Sequence, residues 1–164
     1  MNMIITGRTV LLGDNISARM IYPDEGNKSL NPAEMAALLF NGIGDTDHPR
    51  SNVDDIIVAG RNFGIGDNSL PAIMALQAAG IRGIIAVSFG RYFFRRAINH
   101  GLPIIEAEMP GGLAGGQQIE INLSGGKISF PGGEKFFQPY PDFILRIIEA
   151  GGLIPSVTAG VSRR

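Results

Sequence analysis

The stretch DDIIVAGRNFGIGDNSLPAIMALQAAG, residues 54–80, joins an apolar run, a glycine-rich turn and a helix-like run. Asp55–Ala59 predicts a buried strand, and Pro71–Ala79 predicts a helix that Gly80 ends in a left-handed conformation. A turn of this kind leaves free backbone N–H groups at the helix start, where an anion can approach them closely. The sequence therefore predicts that residues 60–72 bind a carboxylate or a phosphate.

A nucleotide is a weak candidate for this anion. Ser69 stands where a dinucleotide fingerprint needs its third glycine, and the next strand ends in Ser88 rather than in an acid that could bind a ribose. No Gly-Lys-Ser/Thr follows, as a P-loop requires. The glycines can also form only a tight connection between strand and helix, and the motif by itself leaves that alternative open.

The remaining chain alternates strands and helices and then changes pattern. The predicted strands are Thr9–Leu12, Asp55–Ala59, Gly83–Val87 and Leu102–Ile105, and the predicted helices are 33–40, 71–79, 91–100 and 141–150. Asn31 and Ser88 are predicted helix caps, and residues 118–130 predict a hairpin. We expect an α/β fold, with a mostly parallel sheet flanked by helices and an added carboxyl-terminal β-hairpin, in one domain over 1–155 and a loose tail over 156–164.

Composition narrows the function classes. The 164 residues carry a formal net charge of −1, which argues against nucleic acid as a partner. The absence of cysteine excludes disulfides and thiolate metal ligands, and His48 and His100 are too far apart in sequence to suggest a zinc site. No apolar run approaches the ~20 residues of a membrane span, and no signal peptide is visible. We expect a cytoplasmic protein with no metal site.

Five blocks of sequence resemble the small subunit of 3-isopropylmalate dehydratase, a family that corresponds to the swivelling domain of aconitase. They are GDNI at 13–16, VAGRNFGIG at 58–66, ALQAAGI at 75–81, IIAVSFGRYFFRRAINHGLPIIE at 84–106 and FQPYPDFILRIIEAGGLIP at 137–155. The resemblance implies an aconitase-type swivelling β/β/α domain. It also implies a hydro-lyase that acts on a hydroxy-di- or tricarboxylic acid. A separate large subunit would carry a [4Fe-4S] cluster, and this subunit would close over it.

The turn departs from the family pattern, which is Gly-Ser-Ser-Arg-Glu-His-Ala. Here residues 66–72 read GDNSLPA, so Asp67 replaces the family's serine base and Ser69 replaces its substrate-binding arginine. After GDNI the family has Asp-Thr-Asp, whereas this chain has Ser-Ala-Arg at 17–19. The resemblance therefore predicts a charge-swapped pair of Arg19 and Asp67. Arg19 could bind a substrate carboxylate, or the two could form an ion pair with no substrate role.

The resemblance also assigns roles to single residues. The candidate catalytic residues are Asp67 and Ser69, the candidate substrate-binding residues are Arg19, Arg61, Gly66 and Asn68, and the candidate contacts with the large subunit are Arg91 and Arg95. A carboxylate at a helix start should have a lowered pKa, which weakens Asp67 as a base, and Asp67 could instead only cap the helix. Asn62 is expected to brace the turn, Arg96 could lie on a solvated basic face, and the loop 22–32 would select the substrate.

Two further hypotheses compete with the hydro-lyase subunit. The chain could be a binding or assembly subunit that kept the fold and lost the base and the substrate arginine. It could also be an unrelated nucleotide-binding α/β domain. An adjacent gene for a cysteine-bearing large subunit would argue against the nucleotide-binding domain. The sequence does not identify the substrate.

Overall fold

One seven-stranded sheet forms the centre of the computed structural model, which describes residues 2–23, 31–43 and 55–162. Its strands are β1 (Ile4–Leu11), β2 (Asp55–Ala59), β3 (Gly83–Ala86), β4 (Ile104–Glu106), β5 (Gln118–Asn122), β6 (Lys127–Phe130) and β7 (Gly133–Phe136). They lie in the order β4-β3-β2-β1-β5-β6-β7. The predicted α/β fold is confirmed.

The first four strands form a parallel half. β1 pairs with β2, β2 with β3 and β3 with β4, all in parallel. Every residue of β2 and β3 is buried, as expected for parallel strands covered on both faces. Their carboxyl ends lie at one edge of the sheet, where open α/β sheets bind ligands.

The carboxyl half of the sheet is antiparallel and one strand larger than expected. β5 pairs antiparallel with β1, β6 pairs with β5, and β7 pairs with β6. The predicted hairpin of β5 and β6 is therefore part of a three-stranded meander. The sequence GEKF of β7 has no alternation of apolar and polar residues to reveal it, because none of its residues is buried.

Six α-helices and one 3₁₀ turn lie in the described residues. They are α1 (Ala18–Ile21), α2 (Pro32–Ala37), the 3₁₀ turn Asn41–Ile43, α3 (Ser69–Ala78), α4 (Arg91–Asn99), α5 (Asp142–Ala150) and α6 (Leu153–Ser162). The predicted cap of α2 is confirmed, since the Asn31 side chain accepts a hydrogen bond from the Glu34 N–H. The described helices include none that is both long and apolar enough to span a bilayer.

Two predictions at helix ends are wrong. Ser88 does not cap α4, because that helix begins after Gly90 and has no side-chain cap. The Ser88 hydroxyl instead accepts a hydrogen bond from the Asn62 N–H at 2.9 Å. The sequence predicts a loose tail over 156–164, whereas residues 156–162 belong to helix α6, which runs from Leu153 to Ser162. Helix α6 packs against α5, and no periodic pattern in its sequence had indicated a helix there.

Two apolar clusters cover the two faces of the sheet. Ile57 belongs to the cluster that includes Ile73 of α3 and Phe93 of α4. Its neighbours Ile56 and Val58 belong to the other cluster, which includes Leu145 of α5. Because successive side chains of a strand point to opposite faces, one short strand contributes to both clusters. Its backbone is therefore held from both sides just before the glycine-rich turn.

Candidate functional site

Two loops pack in register beyond the carboxyl ends of β1 and β2. The Gly60 N–H donates to the Gly13 carbonyl at 3.2 Å, and the Gly64 N–H donates to the Ile16 carbonyl at 2.7 Å. The Ala18 N–H donates in turn to the Ile65 carbonyl at 2.9 Å. These bonds continue the parallel pairing of the strands into the loops. Arg19 and Asp67, which are 48 positions apart in sequence, can therefore come into contact.

A third loop, after β3, holds the other side of the glycine-rich turn. The Phe63 N–H donates to the Ser88 carbonyl at 3.0 Å, and the Gly90 N–H donates to the Phe63 carbonyl at 2.9 Å. Phe63 is fully buried, and its ring meets those of Phe89 and Phe93 edge-on. The turn is therefore held by the packing of these three aromatic rings and by hydrogen bonds to the loops on either side of it.

Asn62 braces the turn, as predicted. Its side-chain amide donates to the Asn15 side-chain oxygen at 2.9 Å, and its backbone N–H donates to the Ser88 hydroxyl. Asn15 and Asn62 both have positive φ, near +57° and +59°. Asparagine tolerates this left-handed conformation better than most residues. It therefore suits the backbone of both turns, and its side chain also links them through the Asn62–Asn15 hydrogen bond.

The start of α3 differs from the expected cap. Asn68 is the N-cap, with a left-handed φ of +70°, and no side chain caps the helix. The interpretation of Asp67 as a helix cap is therefore wrong. The first N–H groups of a helix have no intrahelical acceptor, and within the described residues no side chain caps those of Ser69 and Leu70, while Pro71 has no N–H. Unpaired N–H groups at a helix start can hold a small anion, and the anion site expected from the glycine-rich motif stays a prediction.

Arg19 and Asp67 meet at this edge. The Arg19 Nε donates to Asp67 Oδ1 at 3.1 Å, and Nη2 donates to Oδ2 at 3.4 Å. The predicted pairing of these two residues is therefore confirmed as a contact. Their side chains are 58% and 80% exposed. The hydrogen bond from Arg19, and then its positive charge, hold the pKa of Asp67 below its ordinary value of 3.8.

Removing this ion pair should barely change thermal stability. Solvent screens an exposed pair, so Asp67→Ala and Arg19→Met are each expected to leave the melting temperature almost unchanged at pH 7. Because the folded pKa of Asp67 is lowered, any stabilisation is fully present above its unfolded pKa and is lost as the pH falls through the folded pKa. Thermal melts of both variants at pH 7 and pH 3.5 measure this. A large loss at pH 7 would contradict an exposed, screened pair.

Ser69 lies inside the protein. Its side chain has no exposed surface, and its hydroxyl accepts a hydrogen bond from Arg96 Nη1 at 2.9 Å. A buried hydroxyl that is already bonded is poorly placed to contact a substrate. Arg96 is an exposed residue, and its bond to Ser69 means that it does more than extend a solvated basic face of α4.

The other predicted site residues lie on the same edge, in different surroundings. Gly66 is exposed, with a φ of +91° and open space where a Cβ would project. The Arg61 backbone N–H donates to Asp14 Oδ1 at 2.8 Å, while its side chain is exposed. Arg91 and Arg95 are exposed on α4, four residues apart and hence on one face. The loop 22–32 lies largely outside the described residues.

A separate cavity of about 290 Å³ opens between α4, the end of β4 and the segment before α5. Phe94, Glu106 and Tyr140 contribute to its lining. Burial, and then the nearby charge of Glu106, raise the pKa of the Tyr140 hydroxyl. The residues of the glycine-rich turn do not line this cavity, so it is distinct from the turn.

An iron–sulfur cluster does not fit this chain. Cysteine thiolates hold such clusters, and the sequence contains no cysteine. Within the described ranges, no three His, Asp or Glu side chains come close enough together to hold a metal ion. Among the described residues, this edge of the sheet can therefore offer a ligand backbone N–H groups, guanidinium groups and the carboxylates of Asp14 and Asp67.

Sequence reasoning missed the contacts by which several residues shape this edge. Asp14 receives the Arg61 N–H, the Ser88 hydroxyl receives the Asn62 N–H, and Arg96 reaches Ser69. Asp14 and Ser88 stand in the blocks quoted for the resemblance, so their position was a usable signal. Arg96 stands in the block 84–106 as well, but its contact with Ser69 gave no signal, because the two are 27 positions apart and only the packing of α4 on α3 brings them together.

Comparisons with known proteins agree on one family. The profile of the aconitase C-terminal domain matches residues 14–109. The 3-isopropylmalate dehydratase small subunit of Halothermothrix orenii is 38% identical, over 97% of this chain and 98% of its own length. The methanogen homoaconitase small subunit of Methanothermobacter thermautotrophicus is 39% identical, over 94% of this chain and 91% of its own.

A solved structure shows the same fold. The crystal structure of 3-isopropylmalate dehydratase from Methanocaldococcus jannaschii superposes with a TM-score of 0.85 at 32% identity. The alignment covers 96% of this chain and 95% of that one. Sequence and fold thus match over nearly the full length of both proteins.

Proposed function

The chain belongs to the aconitase C-terminal domain family, and on that premise we propose that it is the small subunit of a two-subunit hydro-lyase. The enzyme would remove water from, or add it to, a hydroxy-di- or tricarboxylic acid. The observation that carries this proposal is the near full-length match to small subunits, since those relatives have no additional domain of comparable size. A cytoplasmic location is part of the same proposal.

The partner in this proposal is an aconitase-like large subunit that carries a [4Fe-4S] cluster. The cluster would polarise the substrate hydroxyl as a Lewis acid. This chain has no ligands for it, so every role assigned below concerns the binding of the substrate and the transfer of a proton. The exposed face of α4 with Arg91 and Arg95 is the proposed contact with the large subunit, because it adjoins the edge that carries the turn.

Two carboxylates of a substrate need positive partners at this edge. Arg19 is exposed and presents a planar guanidinium, which can bind a carboxylate through two parallel hydrogen bonds. The uncapped N–H groups at the start of α3, where Asn68 is the N-cap, and the exposed backbone of Gly66 can receive the other carboxylate oxygens. Arg61, exposed on the same loop, is a further candidate contact.

Asp67 is the proposed base. Its carboxylate is largely exposed at the mouth of the turn and can accept the proton from the carbon beside the substrate carboxylate. The hydrogen bond from Arg19 lowers the pKa of Asp67 and so weakens it as a base. A substrate carboxylate that draws Arg19 away from Asp67 would raise that pKa again. Substrate binding and activation of the base would then be one event.

Reconstitution tests the proposal. The purified chain alone is expected to have no hydro-lyase activity, whereas its mixture with the cluster-bearing large subunit of the same source should convert at least one acid. A panel of 2-hydroxy diacids and tricarboxylates, monitored by absorbance of the unsaturated product, also identifies the substrate. Turnover by the chain alone would contradict the two-subunit arrangement. A stable complex without turnover would favour a binding or assembly subunit.

A further inference from the structure

Arg96 connects α4 to the first residue of α3. Its Nη1 donates to the Ser69 hydroxyl at 2.9 Å, and Ser69 is fully buried. An arginine normally keeps its charged end in water, so a guanidinium held against a buried hydroxyl at a helix start is a constrained one. The bond fixes where this positive charge lies relative to the turn.

Arg61, near the start of the turn, is the one basic residue over 60–72. Residues 62–72 include Asp67 and no lysine or arginine, so a dianionic ligand would meet a negative carboxylate there. Arg19 is already engaged with that carboxylate. Arg96 adds a second guanidinium at the same helix start, from a different element of the fold.

Most donors of Arg96 are available to a ligand. A guanidinium has five N–H donors, and the described residues show one hydrogen bond from this side chain, the bond to Ser69. The residue as a whole is exposed. Arg96 can therefore remain bonded to Ser69 and still present an edge with two parallel N–H groups to a carboxylate.

We propose that Arg96, held in place by Ser69, is a substrate-binding arginine that contacts the second carboxylate of the acid. This inference rests on the proposed hydro-lyase function and adds a residue to its site. Arg19 and Arg96 then provide one guanidinium for each of two carboxylates. Ser69 positions Arg96 and takes no proton.

The test compares kcat and KM of the reconstituted pair for four variants of this chain. Arg96→Met removes the guanidinium and is expected to raise KM by about tenfold or more with little change in kcat, as loss of ground-state binding does. Arg96→Lys keeps the charge and should recover part of the affinity. Ser69→Ala frees the guanidinium and should raise KM by about two- to fivefold while turnover persists. Arg146→Met, which removes an exposed arginine on α5, is the control and should match the wild type.

Each outcome has a distinct meaning. An unchanged KM in Arg96→Met beside an active wild-type pair would overturn the role of Arg96 and leave the proposed function standing. A fall in kcat and melting temperature at unchanged KM, with no recovery in Arg96→Lys, would show a structural role and also overturn it. Loss of turnover in Ser69→Ala would make Ser69 the base and contradict its positioning role. An inactive wild-type pair across the whole panel of acids would overturn both proposals.

Discussion

Asp67→Ala is expected to lower kcat of the reconstituted pair by about 100-fold or more, because general-base catalysis contributes ~10²–10⁴-fold to proton transfer. KM should change much less, since Arg19 and the N–H groups at the start of α3 would still bind the acid. The measurement is steady-state kinetics with the acid that the reconstitution identifies. Unchanged turnover in Asp67→Ala would remove the catalytic assignment from this residue.

A pH profile and a control substitution at another exposed aspartate test whether the loss of activity is specific to Asp67. The pKa of Asp67 is lowered below its ordinary 3.8, so its carboxylate is charged throughout pH 5 to 8 and should add no acidic limb to kcat/KM in that range. Asp142→Ala removes an exposed acid at the start of α5 and should leave kcat unchanged. Arg19→Met combined with Asp67→Ala should lower kcat/KM by less than the product of the two single effects, because the two side chains are in contact.

Gly64→Ala is expected to lower the free energy of unfolding by about 2–5 kcal/mol, which combines left-handed backbone strain with overpacking. Gly64 has a φ of +76°, and a Cβ there would overlap the ring of Phe93, which is itself fully buried. For a chain of this size the loss corresponds to a fall of roughly 5–15 °C in melting temperature. Thermal and urea unfolding of the isolated chain measure it.

Substitutions at two other glycines distinguish the cost of backbone strain from the cost of overpacking. Gly66→Ala meets open space at a φ of +91°, so it should lose only the backbone contribution, about 1–2 kcal/mol. Gly111→Ala meets open space without a positive φ and should be close to the wild type. Equal losses at Gly64 and Gly66 would show that packing against Phe93 contributes nothing.

Much of the fold could be predicted from the sequence because many of its strands and helices depend on local patterns of residue types. The strand Asp55–Ala59 was predicted with the bounds that the structure shows, and the predicted hairpin over 118–130 begins and ends where β5 begins and β6 ends. These strands are short apolar or alternating runs between turn residues, and strand propensity and turn chemistry act within a few residues of each other. The strand β7 and the helix α6 lack such patterns and became ordered only through contacts with their neighbours.

The candidate site was predicted unevenly, for the same reason. The contact between Arg19 and Asp67 was foreseen because a resemblance aligned two distant motifs, which periodicity alone could not do. The helix caps at Asp67 and Ser88 were wrong because capping depends on backbone angles that remote loops impose.

By itself, the amino-acid sequence determined the order of strands and helices, the glycine-rich turn and the family, since these rest on residue types and their spacing along the chain. The tertiary structure decided which side chains meet. It buried Ser69, brought Arg96 to it across 27 positions, and left Asp67 in solvent beside Arg19. Burial, pairing and pKa depend on distances through space, and parallel strands with long crossovers set those distances only when the whole sheet has formed.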